Sequence, residues 1–300
     1  MGKARLGARE MMGGVLGDVI ELLVCPICRG ALTLAGGAAR CAGGHGFDVA
    51  RQGYVSLLVG SRAPGTADSA EMVAARHDFL AAGHYDPLAA RLAEAVRAAL
   101  PDAGGVVLDA GAGTGHYLSA VLTGGAGETS RGIAMDVSKH AARRAARARG
   151  RIGAVVADVW RPLPVRDAAV DVVVNVFAPR NGPEFARVLR PEGRLVVVTP
   201  APDHLEPLVG RLGLLSVDED KERRVGESLR GGFTEVERRH EEFVLELGPD
   251  QVAAVVGMGP SAWHHDPGAL RTEIEALGDP VRVRASFHLS IFQPALRSSL

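Results

Sequence analysis

The stretch Val106–Tyr117, VVLDAGAGTGHY, limits what this chain can fold into more than any other segment does. Its apolar start suits a buried parallel strand, and the glycine-rich part that follows turns the chain into a helix. Gly111, Gly113 and Gly115 have no Cβ, so the turn can adopt positive φ and its backbone can approach a ligand closely. The stretch therefore predicts a strand, a ligand-binding loop and a helix in an α/β sheet.

The spacing of the glycines separates two kinds of ligand. A dinucleotide-binding turn has the pattern GxGxxG, whereas this loop has GxGxG and follows an acid, Asp109. A carboxylate at that position repels a pyrophosphate but suits a cation. The loop thus predicts S-adenosylmethionine as cofactor, with Asp109 near its ammonium group, and methyl transfer as the reaction.

Two further strands are expected to end in acids at the same edge of the sheet. Arg131–Met135 is followed by Asp136, which is placed to accept both ribose hydroxyls, and Gly153–Ala157 is followed by Asp158, which would face the adenine amino group. Ligands of open α/β sheets bind at the carboxyl ends of the strands. The alternative is that these are ordinary carboxylates at strand ends.

Composition limits the class of protein. The 300 residues, of which 47% are apolar, are enough for one large domain and a small module. A formal charge of −1 argues against a uniformly basic nucleic-acid binder, so any RNA contact must come from local patches. The apolar runs are too short to span a bilayer, and Met1–Val15 lacks the apolar segment of a signal peptide. We expect a cytoplasmic protein without a membrane contact.

The three cysteines fall close together, in the pattern Cys25-x2-Cys28-x12-Cys41, and His45 follows after three more residues. Two short knuckles with this spacing offer three thiolates and one imidazole, which close a tetrahedral shell around a structural zinc ion. A segment this small has too little core without metal, and we expect the metal to fold it on a core separate from the cofactor domain. The alternative is three reduced cysteines that cluster by chance.

Residues 1–62 carry seven basic and four acidic side chains, a formal balance of +3. An RNA-recognition module is the functional interpretation of this region, and a stabilising cap is the alternative. We expect residues 1–22 to be a flexible extension, 23–62 the zinc-binding module, 63–103 a helical linker region and 104–300 the methyltransferase domain. After the second strand, residues 141–149 form an arginine-rich helix that is either a solvated face or an RNA contact.

The fourth strand, Val170–Val176, leads into the segment that lies over the methyl group in this fold. Asn175 and Asn181 carry amides that can read the edge of a base, and Arg180 carries a guanidinium for phosphate. A plain turn from strand to helix is the alternative.

Eight segments between Leu23 and Pro267 together resemble the ribosomal large-subunit RNA guanine-N1 methyltransferases, and within that family its tylosin-resistance branch. In order, they are CPIC, CAGGHGFDVARQGYVSLL, DSAEMVAARHDFLAAGHYDPL, LDAGAGTGHY, ADVWRPLP, NVFAPRN, TPAPDHL and MGPSAWHHDP. The zinc pattern joined to this cofactor loop is highly specific, although each half alone occurs in many proteins. The resemblance implies a seven-stranded, Rossmann-like class I methyltransferase sheet with a small N-terminal zinc module.

The resemblance also implies site residues and partners. The implied zinc ligands are Cys25, Cys28, Cys41 and His45, and the implied cofactor contacts are Tyr85, Gly113, Thr114 and His204. It further implies a homodimer whose zinc modules border an RNA cleft. The expected substrate is a guanine in a hairpin loop of 23S ribosomal RNA near the macrolide site, so that methylation confers tylosin-type resistance.

The target base directs attention to Met258–Pro267, a turn-rich segment. Trp263 can stack on an extruded guanine, although it can equally just anchor the loop. His264 or His265 is then a candidate to take the N1 proton, because an imidazole titrates near neutral pH.

Two other classes of protein remain as alternatives. One is a zinc-dependent RNA-binding protein whose cofactor fold is vestigial and has no affinity for S-adenosylmethionine. The other is a small-molecule methyltransferase of antibiotic biosynthesis, which the zinc module disfavours because a small substrate does not need it.

Overall fold

The computed structural model describes residues 14–60, 67–127, 129–214, 226–259 and 267–295. Its strands are β1 Leu32–Ala35, β2 Ala38–Cys41, β3 Gly46–Asp48, β4 Val55–Ser56, β5 Val106–Ala110, β6 Arg131–Asp136, β7 Ile152–Val156, β8 Val170–Val176, β9 Leu189–Pro200, β10 Phe233–Leu247 and β11 Val281–Pro294. They form a small antiparallel sheet, β1-β2-β3, and a large sheet in the order β10-β11-β9-β8-β5-β6-β7-β4.

The large sheet is parallel from β4 to β9, and β11 runs antiparallel to both of its neighbours. Seven of its eight strands belong to the predicted methyltransferase sheet. The eighth, β4, comes from the N-terminal region and adds two residues beside β7. The α/β methyltransferase sheet predicted from the sequence is thus confirmed, with one short extra strand that the sequence pattern did not indicate.

The helices that position the site are α1 Gly14–Gly17, α2 Ala70–Ala81, α3 Asp86–Ala99, α4 His116–Thr123, α5 Lys139–Ala145, α6 Gly182–Val188, α7 Leu208–Arg211, α8 Pro249–Gly257 and α9 Pro267–Glu275. Helix α2 begins after Ser69, whose hydroxyl caps it by accepting from the Met72 amide at 3.2 Å. Helix α3 begins at Asp86, with Pro87 in its first turn. Within the described residues no helix has both the length and the apolar character needed to cross a bilayer.

The large sheet buries both of its faces, as a parallel sheet must. Successive strand residues point to opposite sides, so Val107 packs with α3, α4 and α5 on one face. Leu108 points the other way, into a second buried cluster that includes Cys25 of the zinc module. The zinc module and the helices α3 to α5 therefore cover opposite faces of the sheet.

The N-terminal region is packed on the sheet more closely than the sequence suggests. Val19 is fully buried, and a Cβ at Gly153 of β7 would lie only 2.1 Å from its Cγ2 atom. The Leu57 amide donates to the Val156 carbonyl at 2.9 Å. Residues 14–22 are thus packed on the sheet, whereas the sequence predicted a flexible extension there. The expectation that the zinc module has a core of its own is wrong, because it shares one with the sheet.

Candidate active site and zinc centre

The zinc centre brings together the four residues that the sequence pattern singled out. The Nδ1 atom of His45 lies 3.6 Å from the Cys25 sulfur and 3.4 Å from the Cys41 sulfur. The Cys28 and Cys41 sulfurs are 3.6 Å apart, and all four donor atoms lie within 4.8 Å of one another. In a tetrahedral site with Zn–S bonds of about 2.3 Å, neighbouring donors are roughly 3.8 Å apart. The donor set therefore fits Zn²⁺.

Two tight turns aim these donors at one point. The Cys25 amide donates to the Gly30 carbonyl at 2.8 Å, and the chain closes this turn with Arg29 at a φ of 62°. The Cys41 amide donates to the His45 carbonyl at 3.1 Å. A Cβ at Gly43 would meet the Cys28 sulfur at 3.4 Å. Small residues around the sulfurs leave space for a metal but little for any other group.

The cofactor loop follows β5 and is fixed by its own backbone. The Gly111 and Ala112 amides both donate to the Met135 carbonyl at the end of β6, at 2.8 and 3.0 Å. Gly111 has a φ of 93°, and a Cβ there would lie 2.3 Å from the Ala178 Cβ. A side chain at this position is excluded twice, by conformation and by contact with the segment after β8. At Gly113 a Cβ would meet nothing closer than Arg76 at 3.7 Å, so the loop is open there.

Asp109 is the unusual residue of this site. It is 1% exposed, and neither of its carboxylate oxygens has a hydrogen-bond partner among the described residues. Burial, together with the negative charge of Asp136, raises the pKa of Asp109 to about 8. An unpartnered buried carboxylate is costly unless a ligand completes it. The position thus fits a cationic group such as the ammonium of S-adenosylmethionine.

The other two strand-end acids are already engaged with the backbone. Asp136 accepts from the Gly113 and Ser138 amides, each at 2.8 Å, and burial is the main cause of its raised pKa. Asp158 accepts from the Trp160 amide at 3.0 Å. A carboxylate has about four acceptor sites, so these bonds leave capacity for ribose or adenine donors.

Tyr85 and His204 meet although 119 residues separate them in the chain. The Ser286 amide donates to Nδ1 of His204 at 3.3 Å, so the neutral ring carries its proton on Nε2. This Nε2–H donates to the Tyr85 hydroxyl, also at 3.3 Å. Tyr85 is fully enclosed by rings, with Phe287 at 5.3 Å, and burial raises the pKa of its hydroxyl. The pair therefore joins the start of α3 to the segment that follows β9.

The acceptor segment after β8 is held by its two asparagines. Asn175 is fully buried, and its amide donates to the Ala110 and Pro179 carbonyls at 2.8 and 2.9 Å. Asn181 donates to the Val159 carbonyl at 2.8 Å and caps α6. Both amides expected to read a base are therefore spent on the backbone, which the sequence could not reveal. Arg180 makes one long bond to Asn175 at 3.5 Å, and burial lowers its pKa.

Residues 23–60 match the zinc-ribbon model described as RlmA, N-terminal, and residues 107–193 match the model described as methyltransferase domain. A relative from Streptomyces fradiae, the 23S rRNA (guanine(748)-N(1))-methyltransferase, is 47% identical over 92% of this chain and 98% of its own. A relative from Micromonospora griseorubida, whose name also gives guanine-N1 methylation of 23S rRNA, is 52% identical over 92% of this chain and 99% of its own.

The chain belongs to this family of 23S rRNA guanine-N1 methyltransferases. The resemblance stated from the motifs is thereby confirmed, and with it the S-adenosylmethionine-dependent methyltransferase fold and the zinc ribbon. Among solved structures, the YcgJ protein from Bacillus subtilis aligns with a TM-score of 0.45 at 17% identity, over 67% of this chain and 97% of its own.

The family's cofactor loop has neighbours that the sequence reasoning missed. Tyr117 is buried, and its hydroxyl has no hydrogen-bond partner among the described residues. Phe177 has a φ of 53° and stands 6.3 Å from the Tyr117 ring, measured between centroids. A strained non-glycine residue beside an unpartnered hydroxyl is typical of a functional site. Tyr117 could have been found, because it ends the glycine-rich motif itself.

The remaining candidate residues fall in different places. Thr114 is buried at the start of α4 and faces a groove between α2 and α5. Trp160, which the sequence reasoning did not use, is 66% exposed just beyond β7. Trp263, His264 and His265 lie outside the described residues, so their predicted contact with the target base stays a prediction.

Proposed function

We propose that this protein transfers a methyl group from S-adenosylmethionine to N1 of a guanine in a hairpin loop of 23S ribosomal RNA. The observation that carries the proposal is that one chain holds both a Cys3His cluster and, across the same sheet, the unpartnered carboxylate of Asp109. The first feature fits a recognition module for a large substrate, and the second fits a cationic cofactor. The names of the two relatives support the substrate.

The chain's own residues bind and orient the cofactor in this proposal. S-adenosylmethionine supplies an already activated methyl group, so catalysis is mainly a matter of positioning. Asp109 takes its ammonium, Gly111 and Gly113 give the loop its shape, and Asp136 and Asp158 offer their remaining acceptor sites to the ribose and adenine. We propose Tyr85, Thr114 and His204 as further contacts that border this loop.

Fewer residues are proposed to contact the RNA than to contact the cofactor. Arg180 keeps most of its guanidinium donors for phosphate, whereas Asn175 and Asn181 act on the acceptor segment itself. Guanine N1 is buried in a Watson–Crick pair, so an unpaired, extruded base is the sensible target. We propose that Trp263 stacks on this base and that His264 or His265 takes its proton.

The proposal extends to organisation and role. We propose the domain boundaries 1–22, 23–62, 63–103 and 104–300, a homodimer whose zinc modules border the RNA cleft, and action in the cytoplasm. We also propose that the methylated guanine lies near the macrolide site and that methylation confers tylosin-type resistance. The name of the S. fradiae relative gives one numbered guanine of 23S rRNA as the target of that protein, which supports a single guanine as the target here.

The experiment that tests the function is mass-spectrometric mapping of methylated nucleosides in 23S rRNA. The protein is expressed in a host that lacks its own guanine-N1 enzyme, beside the Asp109→Asn variant as a control. One new N1-methylguanine with the wild type, in a smaller fraction of the RNA with the variant, is the expected result. Unmodified RNA despite tight binding of S-adenosylmethionine would favour the small-molecule alternative. Tylosin susceptibility of the same strains tests the resistance role separately.

A further inference from the structure

A wide groove lies on the helical side of the protein, between α2, α4 and α5. It encloses about 1140 Å³ and runs from Thr114, at the cofactor loop, to Arg149 beyond the end of α5. The arginine-rich segment predicted as a helix over 141–149 forms one wall. Its regular helix ends at Ala145, and tight turns continue the chain, with the Arg147 amide bonded to the Arg144 carbonyl at 2.9 Å.

The groove concentrates positive charge. Four arginines line it, together with three histidines, and Asp86 is the one acid among the lining residues. Within the described part of the chain, the ion pairs found involve none of Arg143, Arg144, Arg147 and Arg149. Arginines elsewhere are commonly paired, as Arg187 is with Glu184 at 2.7 Å. In a protein with a formal charge of −1, such a concave, uncompensated cluster is the local patch that a polyanion requires.

The arginines are arranged along one wall of the groove. Arg143 and Arg144 lie in the last turn of α5, and Arg147 and Arg149 follow in the turns and bends beyond it. Guanidinium groups bind phosphate in bidentate fashion and keep their charge at any working pH. The histidines of the groove add hydrogen-bond donors for phosphate and no carboxylates that would repel it.

The groove's position decides which part of an RNA it can hold. It lies on the face covered by α3 to α5, whereas the zinc module packs on the opposite face. A sheet and a helix layer, together on the order of 20 Å thick, separate the two. An RNA hairpin held on the zinc module's side cannot also fill this groove. RNA that continues past the active-site edge can enter it at Thr114.

We propose that this groove binds the phosphate backbone of ribosomal RNA that flanks the target hairpin. The inference rests on the proposed function and deepens it, since it makes the enzyme's footprint larger than one hairpin. The arginines act there as phosphate contacts without reading sequence. The enzyme therefore prefers an RNA fragment with flanking helices over the isolated hairpin.

The test uses the full chain and the double variant Arg143→Gln, Arg147→Gln. Its matched control is Arg271→Gln, Arg282→Gln, which removes the same charge from arginines that lie near acids, Glu275 and Glu246. Dissociation constants for the isolated hairpin and for the extended fragment are measured across salt concentration. S-adenosylmethionine affinity and the single-turnover rate at saturating RNA are measured in parallel.

The groove variant is expected to bind the extended fragment about tenfold more weakly. Its plot of log affinity against log salt concentration should be less steep by about two units, one for each phosphate contact removed. Its affinity for the hairpin, its cofactor affinity and its single-turnover rate stay at the values of the control. Wild-type affinity and slope on the extended fragment would overturn the groove proposal alone. So would a change in self-association by sedimentation without a change in RNA binding, which would make the groove a contact between copies. A wild-type protein that binds and methylates no RNA would overturn the proposed function as well.

Discussion

The zinc centre and the cofactor loop meet their ligands in opposite ways. At the zinc centre, four donors converge from two short turns, and three of them are thiols that repel one another once ionised. At the cofactor loop, backbone bonds to Met135 and Asp136 fix the turn before any ligand arrives. There the buried carboxylate of Asp109 has no hydrogen-bond partner among the described residues.

This difference indicates where the ligand stabilises the protein and where the protein forms the site before the ligand binds. A metal ion is required to keep the knuckles closed, because three-residue and four-residue strands supply little structure of their own. The cofactor loop is held by a sheet that is buried on both faces, so the fold tolerates the unfavourable burial of the Asp109 carboxylate before the cofactor binds. Zinc therefore stabilises the fold, whereas the fold stabilises the cofactor site.

The largest expected effect follows from removing zinc. Cys28→Ser, or chelation, should open the knuckles, and RNA binding should be lost. Structural zinc binding is worth about 10–16 kcal/mol in small modules, so the loss of stability should be several kcal/mol. Because Cys25 and Leu23 share a core with Leu108 and Ile133 of the sheet, the whole chain should melt earlier, in calorimetry, as one transition.

The matched control is Ile27→Ser, which places the same side chain in the same knuckle at an exposed position that binds no metal. It should keep zinc, measured by elemental analysis, and melt near the wild-type temperature. Two separate transitions in the zinc-free protein would contradict the shared core. Full methylation of RNA without zinc would contradict the recognition role of the module.

The second effect contrasts two neighbouring acids of the cofactor loop. Asp109→Asn should weaken S-adenosylmethionine binding by about 10-fold to 100-fold, the value of a charge-assisted contact of roughly 1.5–3 kcal/mol. The same change should raise the melting temperature of the cofactor-free protein above pH 8, where it removes a buried ionised carboxylate. Asp136→Asn should lower it, because Asp136 accepts two backbone bonds. Titration calorimetry and thermal melts measure both, and a lower melting temperature for both variants would contradict the comparison.

Much of the cofactor side could be predicted because its signals are local. The glycine spacing, the strand-end acids and, in the zinc module, the cysteine pattern each lie within a short stretch. Apolar runs predicted the ends of β5 to β8 to within about two residues. The roles of Asn175 and Asn181 could not be predicted, since an amide that reads a base and one that ties down a loop look alike in sequence. Their partners, Ala110 and Val159, are 65 and 22 residues away.

The packing of the N-terminal region escaped prediction for a similar reason. Isolated apolar residues such as Leu16 and Val19 do not form a periodic pattern that would predict their burial. They gain their burial from Gly153, a residue that leaves space in a distant strand. The arginine-lined groove could not be predicted either. The sequence alone does not show that the arginine-rich segment faces α2 and α4 instead of solvent.

The third effect is the pH dependence of cofactor binding. The pKa of Asp109 is about 8 in the cofactor-free protein against an ordinary 3.8, so its protonated form is favoured by the fold. Its contribution to stability is fully present below pH 3.8 and is lost as pH rises through 8. A cation binds the ionised form, so affinity for S-adenosylmethionine should rise close to tenfold from pH 6 to pH 7. Calorimetry at pH 7 in buffers of different ionisation enthalpy should detect release of about one proton.

The Asp109→Asn variant is the control for this titration. It should release no proton from this position on binding, and its affinity should stay flat over the same pH interval. Equal proton release by the two proteins would assign the titration to another group and remove Asp109 from the ammonium site.

The smallest effect separates two buried tyrosines by their hydroxyl groups. Tyr85→Phe removes a hydroxyl that accepts from His204 and should cost about 1 kcal/mol of stability, the typical net value of one hydrogen bond. Tyr117→Phe removes a hydroxyl that has no partner among the described residues, so the cofactor-free protein should be unchanged or slightly more stable. If the Tyr117 hydroxyl is reserved for the cofactor, as the carboxylate of Asp109 is, the same variant should bind S-adenosylmethionine a few-fold more weakly. Urea unfolding with and without cofactor measures both quantities. Equal destabilisation by the two variants would mean that both hydroxyls serve the fold, and the contrast between a satisfied scaffold and an unsatisfied ligand site would then be confined to Asp109.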